Sequence, residues 1–428
     1  MKKRLLDWIV CPHCGELPRL QVFQEETVGL PSPVPAPACS FFCGRHGIDR
    51  PRDVAPPPDC NACHQEEILE GALLCGCGKV YPILDGIPRM LTNAREEYPA
   101  FFAKYCFTAE GGRLAEPAPA ADTAADTAAD TPERDRVADP RSGKSFGLQW
   151  ALYQEGDNTW FKDDAGLRKS EFLYNLDTTP EELRQSTLLD GGCGNGELTR
   201  AVAEYGPEIV AMDFSRSVEG ARKRLFEKGF DVSHKVHYLQ GNILEFPLLA
   251  RSFDLVHTSG VLHHTPSTYK AFRAISKAVK PGGKLYVQLY RRRPNWIHAV
   301  NVSLRAVTTR LPMRLLYGLC YAATPVHSAL SRLMHLLRRE PAPPQATARE
   351  RAVQMFDNYS PPYQYRHTVP EIVDLFKSEG FVGMKDVTLD NEARHMLAVL
   401  GRRPAAEPSD KPRMAASEPV EDRKVFSR

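Results

Sequence analysis

The chain has 428 residues, 42% hydrophobic and 25% charged, an ordinary globular composition with room for two or three domains. Its 55 Lys plus Arg against 53 Asp plus Glu leave a net charge of +2, which argues against a chain-wide basic coat for nucleic acid and leaves only local patches open. Met1 to Val10 carries basic residues and a short apolar run broken by Asp7, which does not read as a secretory signal, so a cytoplasmic location is expected.

Eight of the 11 cysteines lie before position 80, in close pairs. Cys11 and Cys14 have two residues between them, as do Cys60 and Cys63; Cys39 and Cys43 have three, and Cys75 and Cys77 only Gly76. Without a secretory signal, such pairs read as metal ligands rather than disulfides. Thiolates at these spacings can grip a tetrahedral zinc ion, and eight of them suit two four-sulfur sites, with His13, His46 and His64 as alternative ligands. Residues 1–107 form a small domain with proline-rich inserts and little core. Metal can supply the missing folding free energy there, roughly 10–16 kcal/mol per structural site. A closed four-sulfur shell keeps no open position, so structural zinc, one or two ions, is expected.

Residues 108–140 contain Ala-Ala-Asp-Thr three times between Ala120 and Thr131 and read as a flexible linker. Residues 141–402 alternate strand-like and helix-like segments. Strands are expected at 187–190, 209–212, 236–239, 253–256 and 284–290, with helices over 197–205 and 217–228. A further helix begins after Ser267 as cap and runs to Val279, ended by Pro281-Gly282-Gly283. After a helical insertion at 291–350, a last helix starts near Pro370, followed by strands at 381–389 and 394–400 that form an antiparallel edge hairpin. The alternation predicts an α/β fold with a doubly wound, mainly parallel sheet. Residues 403–428 are polar and expected to be disordered.

The segment Asp190-Gly191-Gly192-Cys193-Gly194-Asn195-Gly196 joins the first of these strands to a helix. Its glycines permit a tight turn and close ligand approach, and the helix start offers free N–H groups to a negative group. Asp213 ends the next strand, where a carboxylate can accept two hydrogen bonds from a ribose diol. A dinucleotide-binding loop is the competing reading, but Glu197 stands where its third glycine belongs.

These residues resemble the class I S-adenosylmethionine-dependent methyltransferases. The likeness rests on LLDGGCGNG (188–196), VAMDFS (210–215), GNILEFPL (241–248), FDLVHTSGVLHH (253–264) and KPGGKLYV (280–287). It covers residues 143–290 closely and 355–402 in pattern, and it implies a seven-stranded Rossmann-like sheet. The resemblance implies that Asp190, Gly192 and Gly194 surround the methionine end of the cofactor, that Asp213 holds the ribose, that Asn242 and Ile243 flank the adenine, and that Gly191, Gly196 and Phe214 also belong to the cofactor-binding set. Ser259 and Gly260 would lie by the sulfonium. Many relatives carry Asp where Asn242 stands; Asn keeps a carbonyl acceptor for an adenine amine. Ser145, Phe146, Gly147 and Trp150 either fold over the cofactor, as in similar enzymes, or form a packing edge. The pairs Cys11/Cys14 and Cys75/Cys77, within LLDWIVCPHC and CGCGKVYPILDGIPRML, resemble the zinc-ribbon family whose small members activate RNA and translation-factor methyltransferases. That family usually has two residues inside the second pair, where this chain has Gly76 alone.

Methyl transfer is an in-line displacement, and a general base is needed only where the nucleophile must lose a proton. His263, His264 and His367 are the candidate bases, with Tyr359, Tyr363 and Tyr365 in a connector (356–367) that could close over substrate. SGVLHH resembles small-molecule methyltransferases, including those of quinone biosynthesis. No Asn-Pro-Pro-Tyr-type tetrad of base or amide methylators is present. Arg291 to Arg339 holds nine arginines, no lysine and no acid, with Trp296, Val300, Leu304, Val307 and Leu311 at helical spacing. Such a stretch can be a lid over the site or lie peripherally on the anionic inner membrane surface. The expected function is transfer of a methyl group to oxygen or carbon of a small or lipid-like acceptor. An RNA methyltransferase and a non-catalytic scaffold presenting the zinc domain are the alternatives.

Overall fold

The structure, a computed structural model, describes residues 1–29, 42–43, 48–49, 62–107, 140–153, 165–227, 235–292, 296–337, 346–389 and 395–405. In chain order its strands are β1 (Arg19–Thr27), β2 (Phe42–Cys43), β3 (Ile48–Asp49), β4 (Glu66–Leu74), β5 (Val80–Leu84), β6 (Ile87–Met90), β7 (Thr187–Gly191), β8 (Glu208–Asp213), β9 (Val236–Gly241), β10 (Phe253–Ser259), β11 (Val279–Tyr290), β12 (Val382–Asp386) and β13 (Met396–Arg402). The helices are α1 (Ala62–Gln65), α2 (Ala94–Glu97), α3 (Pro99–Lys104), α4 (Pro140–Leu152), α5 (Ala165–Asn175), α6 (Pro180–Arg184), α7 (Glu197–Ala203), α8 (Ser217–Glu227), α9 (Thr268–Ser276), α10 (Trp296–Thr308), α11 (Met313–Leu337), α12 (Ala348–Tyr359) and α13 (Val369–Ser378).

The central strands are short apolar runs because both faces of their sheet are covered, so nothing selects for alternation. Ile209, Val210, Ala211 and Met212 of β8 are all buried, as is every residue of β9. One face packs on Phe272 and Ile275 of α9 and Phe376 of α13; the other packs on Phe172 of α5, Val202 of α7 and Leu225 of α8. The strand order β9-β8-β7-β10-β11-β13-β12 is the expected doubly wound sheet of seven strands. Strands β9, β8, β7, β10 and β11 run parallel, while β13 is antiparallel to both β11 and β12. The helix expected to reach Val279 stops at Ser276 instead. Val279 already pairs with Phe253, and a register break carries the strand past Pro281-Gly282-Gly283 before Lys284 pairs with Leu255. Proline cannot continue the helix, and Gly282, at φ 78°, supplies the turn that an L side chain resists.

The sheet does not end at β9. Strand β6 pairs with it in parallel, and β5, β4 and β1 follow, giving eleven strands in one sheet. The N-terminal cysteine region is thus built onto the edge of the methyltransferase-like sheet. Trp8 packs on the rings of His237 and Phe253, with centroids 5.6 and 6.0 Å away. Arg4 makes two hydrogen bonds to Glu208, of 2.9 and 3.0 Å, and Glu67 receives Lys2 at 2.8 Å and Arg222 at 2.7 Å. Covering a sheet edge in this way removes a row of unpaired backbone groups.

In the insertion, α11 packs on α12 through Leu316, Cys320 and Phe356. Its outer face is exposed and apolar: Leu315, Leu319, Val326, Leu330, Leu333 and Leu337 are each at least 49% accessible. Leu304 and Val307 of α10, expected as one helical stripe, are exposed as well. No helix among the described residues is long and apolar enough to cross a membrane. Of the expected linker (108–140) all but residue 140, of the expected tail (403–428) all but 403–405, and Cys39, His46 and Cys60 lie outside the described residues.

Candidate functional site

The turn after β7 is drawn onto β8. The Gly192 and Cys193 amides donate to Met212 O, at 2.7 and 3.0 Å, and the Gly194 amide donates to Asp213 Oδ2 at 2.9 Å. This corrects the expectation of free amides waiting for an anion. The loop spends these donors on the next strand, and α7 is only seven residues long. The close approach the glycines were expected to allow is present. Gly192, at φ 97°, has Val261 against it so tightly that a Cβ would lie 2.1 Å from a methyl, and on Gly194 a Cβ would lie 2.6 Å from the Trp150 indole. Gly191, Gly194 and Gly196 line neither of the clefts at the sheet's carboxyl end. Gly191 and Gly196 instead make room for Ile275 of α9 and Ala221 of α8.

Two clefts open there, of about 800 and 1220 Å³ including their mouths. The first is lined by Met212, Asp213, Phe214, Asn242, Ile243 and Leu244, and the second by Asp190, Cys193, His257, Gln288, Tyr290 and Asp357. They share Phe146, Trp150, Gly192, Ser259, Gly260 and His264. Of the upstream cluster, Phe146 and Trp150 therefore do fold over the site, carried by α4, while Ser145 is tied to Ser360 at 2.6 Å.

Asp213 is strongly engaged. Besides Gly194, its Oδ1 accepts from the Ser215 amide at 2.8 Å and the Ser215 hydroxyl at 2.7 Å. Burial raises its pKa, and these hydrogen bonds oppose the rise. Three of about four lone-pair sites are taken, so one remains for a ribose hydroxyl; a second would have to displace a partner. Asn242 Oδ1 accepts the Leu244 amide at 3.0 Å and keeps one lone pair, while its Nδ2 lies 3.3 Å from Glu245. Apolar walls at Phe214, Ile243 and Leu244 beside these acceptors fit a purine nucleoside. In the second cleft Asp190 receives Thr199 Oγ1 at 2.6 Å and faces His257 Nδ1 at 3.4 Å.

The three candidate bases separate. Only His264 lines the clefts. Its Nδ1 lies 2.8 Å from Tyr363 O and must carry the proton to donate, leaving Nε2 as acceptor. Burial depresses it to about 4, so the ring is neutral at pH 7 and weakly basic. His263 is fully buried behind it, 4.1 Å from the Tyr290 ring, with both ring nitrogens unpartnered among the described residues. His367 sits away from the clefts, against Thr268 at 3.1 Å and Glu371 at 3.6 Å, and serves the start of α13. Of the tyrosines, Tyr359 binds Asn301 of α10 and Tyr365 binds Pro266 O, so the connector closes over the histidine turn. Sequence reasoning missed Asp357, Gln149 and Asn175, which all line the second cleft. Their only signal was a polar residue among aromatics, with no motif to single it out.

In the N-terminal region, Cys11, Cys14, Cys75 and Cys77 present four Sγ atoms within 4.8 Å of one another. Cys11 Sγ lies 3.7 Å from Cys77 Sγ, and Cys14 Sγ 3.3 Å from Cys75 Sγ. A tetrahedral zinc with bonds near 2.3 Å needs sulfurs about 3.8 Å apart, so the set fits. Cys77 joins it despite the single intervening glycine. Although burial favours its thiol, hydrogen bonds from Tyr81 and the backbone bring Cys11 down to about 7. Cys43 and Cys63 are buried; the rest of the expected second site lies outside the described residues.

The family described as methyltransferase domain matches residues 189–287. A ubiquinone biosynthesis O-methyltransferase of Xanthomonas euvesicatoria pv. vesicatoria is 32% identical over 136 residues, 32% of this chain and 56% of that protein. Another from Xanthomonas oryzae pv. oryzae is 30% identical over 178 residues, 40% of this chain and 73% of the relative. The chain belongs to the class I S-adenosylmethionine-dependent methyltransferases. It spans about half the length of the first curated relatives it matches. Among solved structures, the YcgJ protein of Bacillus subtilis aligns at 13% identity and TM-score 0.37, over 56% of this chain and 99% of that one.

Proposed function

We propose that the chain transfers the methyl group of S-adenosylmethionine to oxygen or carbon of a small, lipid-like acceptor. The observation that carries this is the meeting of two clefts at Ser259, Gly260 and His264, one suited to a nucleoside and the other walled by aromatic and carboxylate side chains. When bound, the cofactor supplies an electrophilic methyl carbon on a sulfonium. Phe214, Ile243 and Leu244 would wall the purine, Asn242 would accept from its amine, Asp213 would take a ribose hydroxyl, and Asp190 would face the methionine end. Phe146 and Trp150 exclude water. Positioning of this kind is worth on the order of 7–11 kcal/mol. Neutral His264 orients the acceptor through Nε2. The four cysteines at the N-terminal end hold a structural zinc ion.

The acceptor's lipid-like character, and contact with an anionic membrane surface at the cytoplasmic face, find support in the insertion. The apolar face of α11 is exposed, Arg314 and Arg332 lie exposed on the same helix, and no acid occurs between 291 and 339. The relatives named for ubiquinone biosynthesis support the same acceptor class. Incubation of the purified chain with methyl-labelled cofactor, vesicles of bacterial lipid extract and total RNA tests the reading. Label is expected in the solvent-extractable fraction, with the chain sedimenting with vesicles. Label only in RNA would overturn the acceptor class, and a chain left in the supernatant would overturn the membrane contact.

A further inference from the structure

The insertion places a carboxylate in the second cleft. Asp357, in the last turn of α12, lines it beside Tyr290, Gln288 and His264. The side-chain amide of Gln149, on α4, donates to this carboxylate, which fixes its direction. No cation pairs with it among the described residues. Arg305 of α10, the nearest cationic influence, spends its guanidinium on the carbonyls of Asn358 and Pro361, the latter at 2.6 Å. A carboxylate held by one amide and left without a counter-ion keeps acceptor capacity for a ligand.

Two acceptors in the cleft lack partners among the described residues: Gln149 Oε1 and Asn175 Oδ1 make no hydrogen bond there, although their residues are only 4% and 9% exposed. Buried acceptors of this kind cost free energy unless something donates to them. Phe146, Phe172 and Tyr290 supply aromatic walls around them. The site is therefore built for a ring that carries hydroxyl donors.

We propose that Asp357 accepts the hydroxyl proton of the acceptor as the methyl group is transferred. This rests on the methyltransferase reading. The acceptor O–H proton passes to a carboxylate oxygen, and the oxygen lone pair forms the C–O bond with the methyl carbon. The C–S bond breaks and its electron pair stays on sulfur, giving a neutral thioether. The Asp357 carboxyl then releases its proton to solvent. Burial raises the Asp357 carboxyl to about 6, against Gln149 and Arg305, whereas His264 sits near 4. A base working near neutral pH is the better matched of the two. Tyr290 of β11 and Arg305 of α10 also face Asp357; His264, uncharged at pH 7, adds no charge.

The test uses 4-nitrocatechol, whose ionised form absorbs visibly at longer wavelength, bound to the full chain in the presence of S-adenosylhomocysteine. A carboxylate beside the hydroxyl opposes phenolate formation, so Asp357→Asn should lower the apparent pKa of the bound probe by about one unit, a tenfold change in its ionisation equilibrium. Asp357→Glu should restore the wild-type titration, and melting temperatures should show all three chains folded. An unchanged probe titration in Asp357→Asn would overturn the proposal. So would failure of the wild-type chain to bind the probe while it binds S-adenosylhomocysteine. If the homocysteine compound itself does not bind, the methyltransferase reading fails instead.

Discussion

Asp213 carries two duties, and its chemistry separates them. It ties the loop at Gly194 to the end of β8, and it leaves one acceptor site toward the first cleft. Asp213→Ala removes both. S-adenosylhomocysteine affinity measured by calorimetry is expected to fall at least tenfold, about 1.4 kcal/mol, while an intact far-ultraviolet spectrum would show the sheet retained. Binding within twofold of wild type would mean that the cofactor sits elsewhere. The acid and its loop were legible in the sequence because a strand, a glycine turn and a second strand end recur at fixed spacing. Which histidine of a pair faces a cavity was not legible. His263 and His264 are neighbours in the chain, yet one packs behind the other on Tyr290, and only the surrounding elements decide which.

At the scale of elements, the zinc-fitting turns belong to a module that touches the first cleft indirectly. Cys11–Gly15 and Cys75–Gly78 are tight turns closed by backbone hydrogen bonds of 2.8 and 3.0 Å. Downstream of them, the Thr92 hydroxyl lies 2.8 and 2.9 Å from the two Glu245 oxygens, and Glu245 meets Asn242. Cys77→Ser is expected to lose one zinc ion per chain by elemental mass spectrometry. It should also lower the melting temperature, because metal bound only by the folded site adds its binding free energy to folding. A weaker, severalfold loss of S-adenosylhomocysteine affinity should follow through Glu245. Full zinc content in the variant would show that this cysteine is not a ligand.

For the whole molecule, buried ion pairs tie the N-terminal region to the rest of the fold: Arg4 reaches Glu208 of β8, and Arg222 of α8 reaches Glu67 of β4. Against their burial, Arg4 and His237 hold the Glu208 carboxyl well below the usual carboxylate range, and Lys2 and Arg222 do the same for Glu67. A depressed folded pKa stabilises the native state above the unfolded value, about 4.3 for glutamate, and that contribution is lost as pH falls through the folded one. The melting temperature should therefore drop steeply below about pH 4.3. Arg4→Ala leaves Glu208 buried without its main partner and should cost about 3–5 kcal/mol at neutral pH, with a shallower acid-side slope. Equal slopes in both chains would assign the acid sensitivity to other groups.

The seven-strand alternation, the glycine loop and Asp213 at a strand end were determined by the sequence alone, because each depends on short-range periodicity or spacing, whereas Asn242 and the pairing of Cys11/Cys14 with Cys75/Cys77 were legible only through family resemblance. Tertiary structure alone decided that β6 docks on β9 and that the loop amides turn to β8 rather than to a ligand. It alone brought Asp357, Gln149 and Asn175 into one cleft from three separate helices. Those outcomes depend on which surfaces meet across a hundred or more residues, and no local pattern in the chain encodes that meeting.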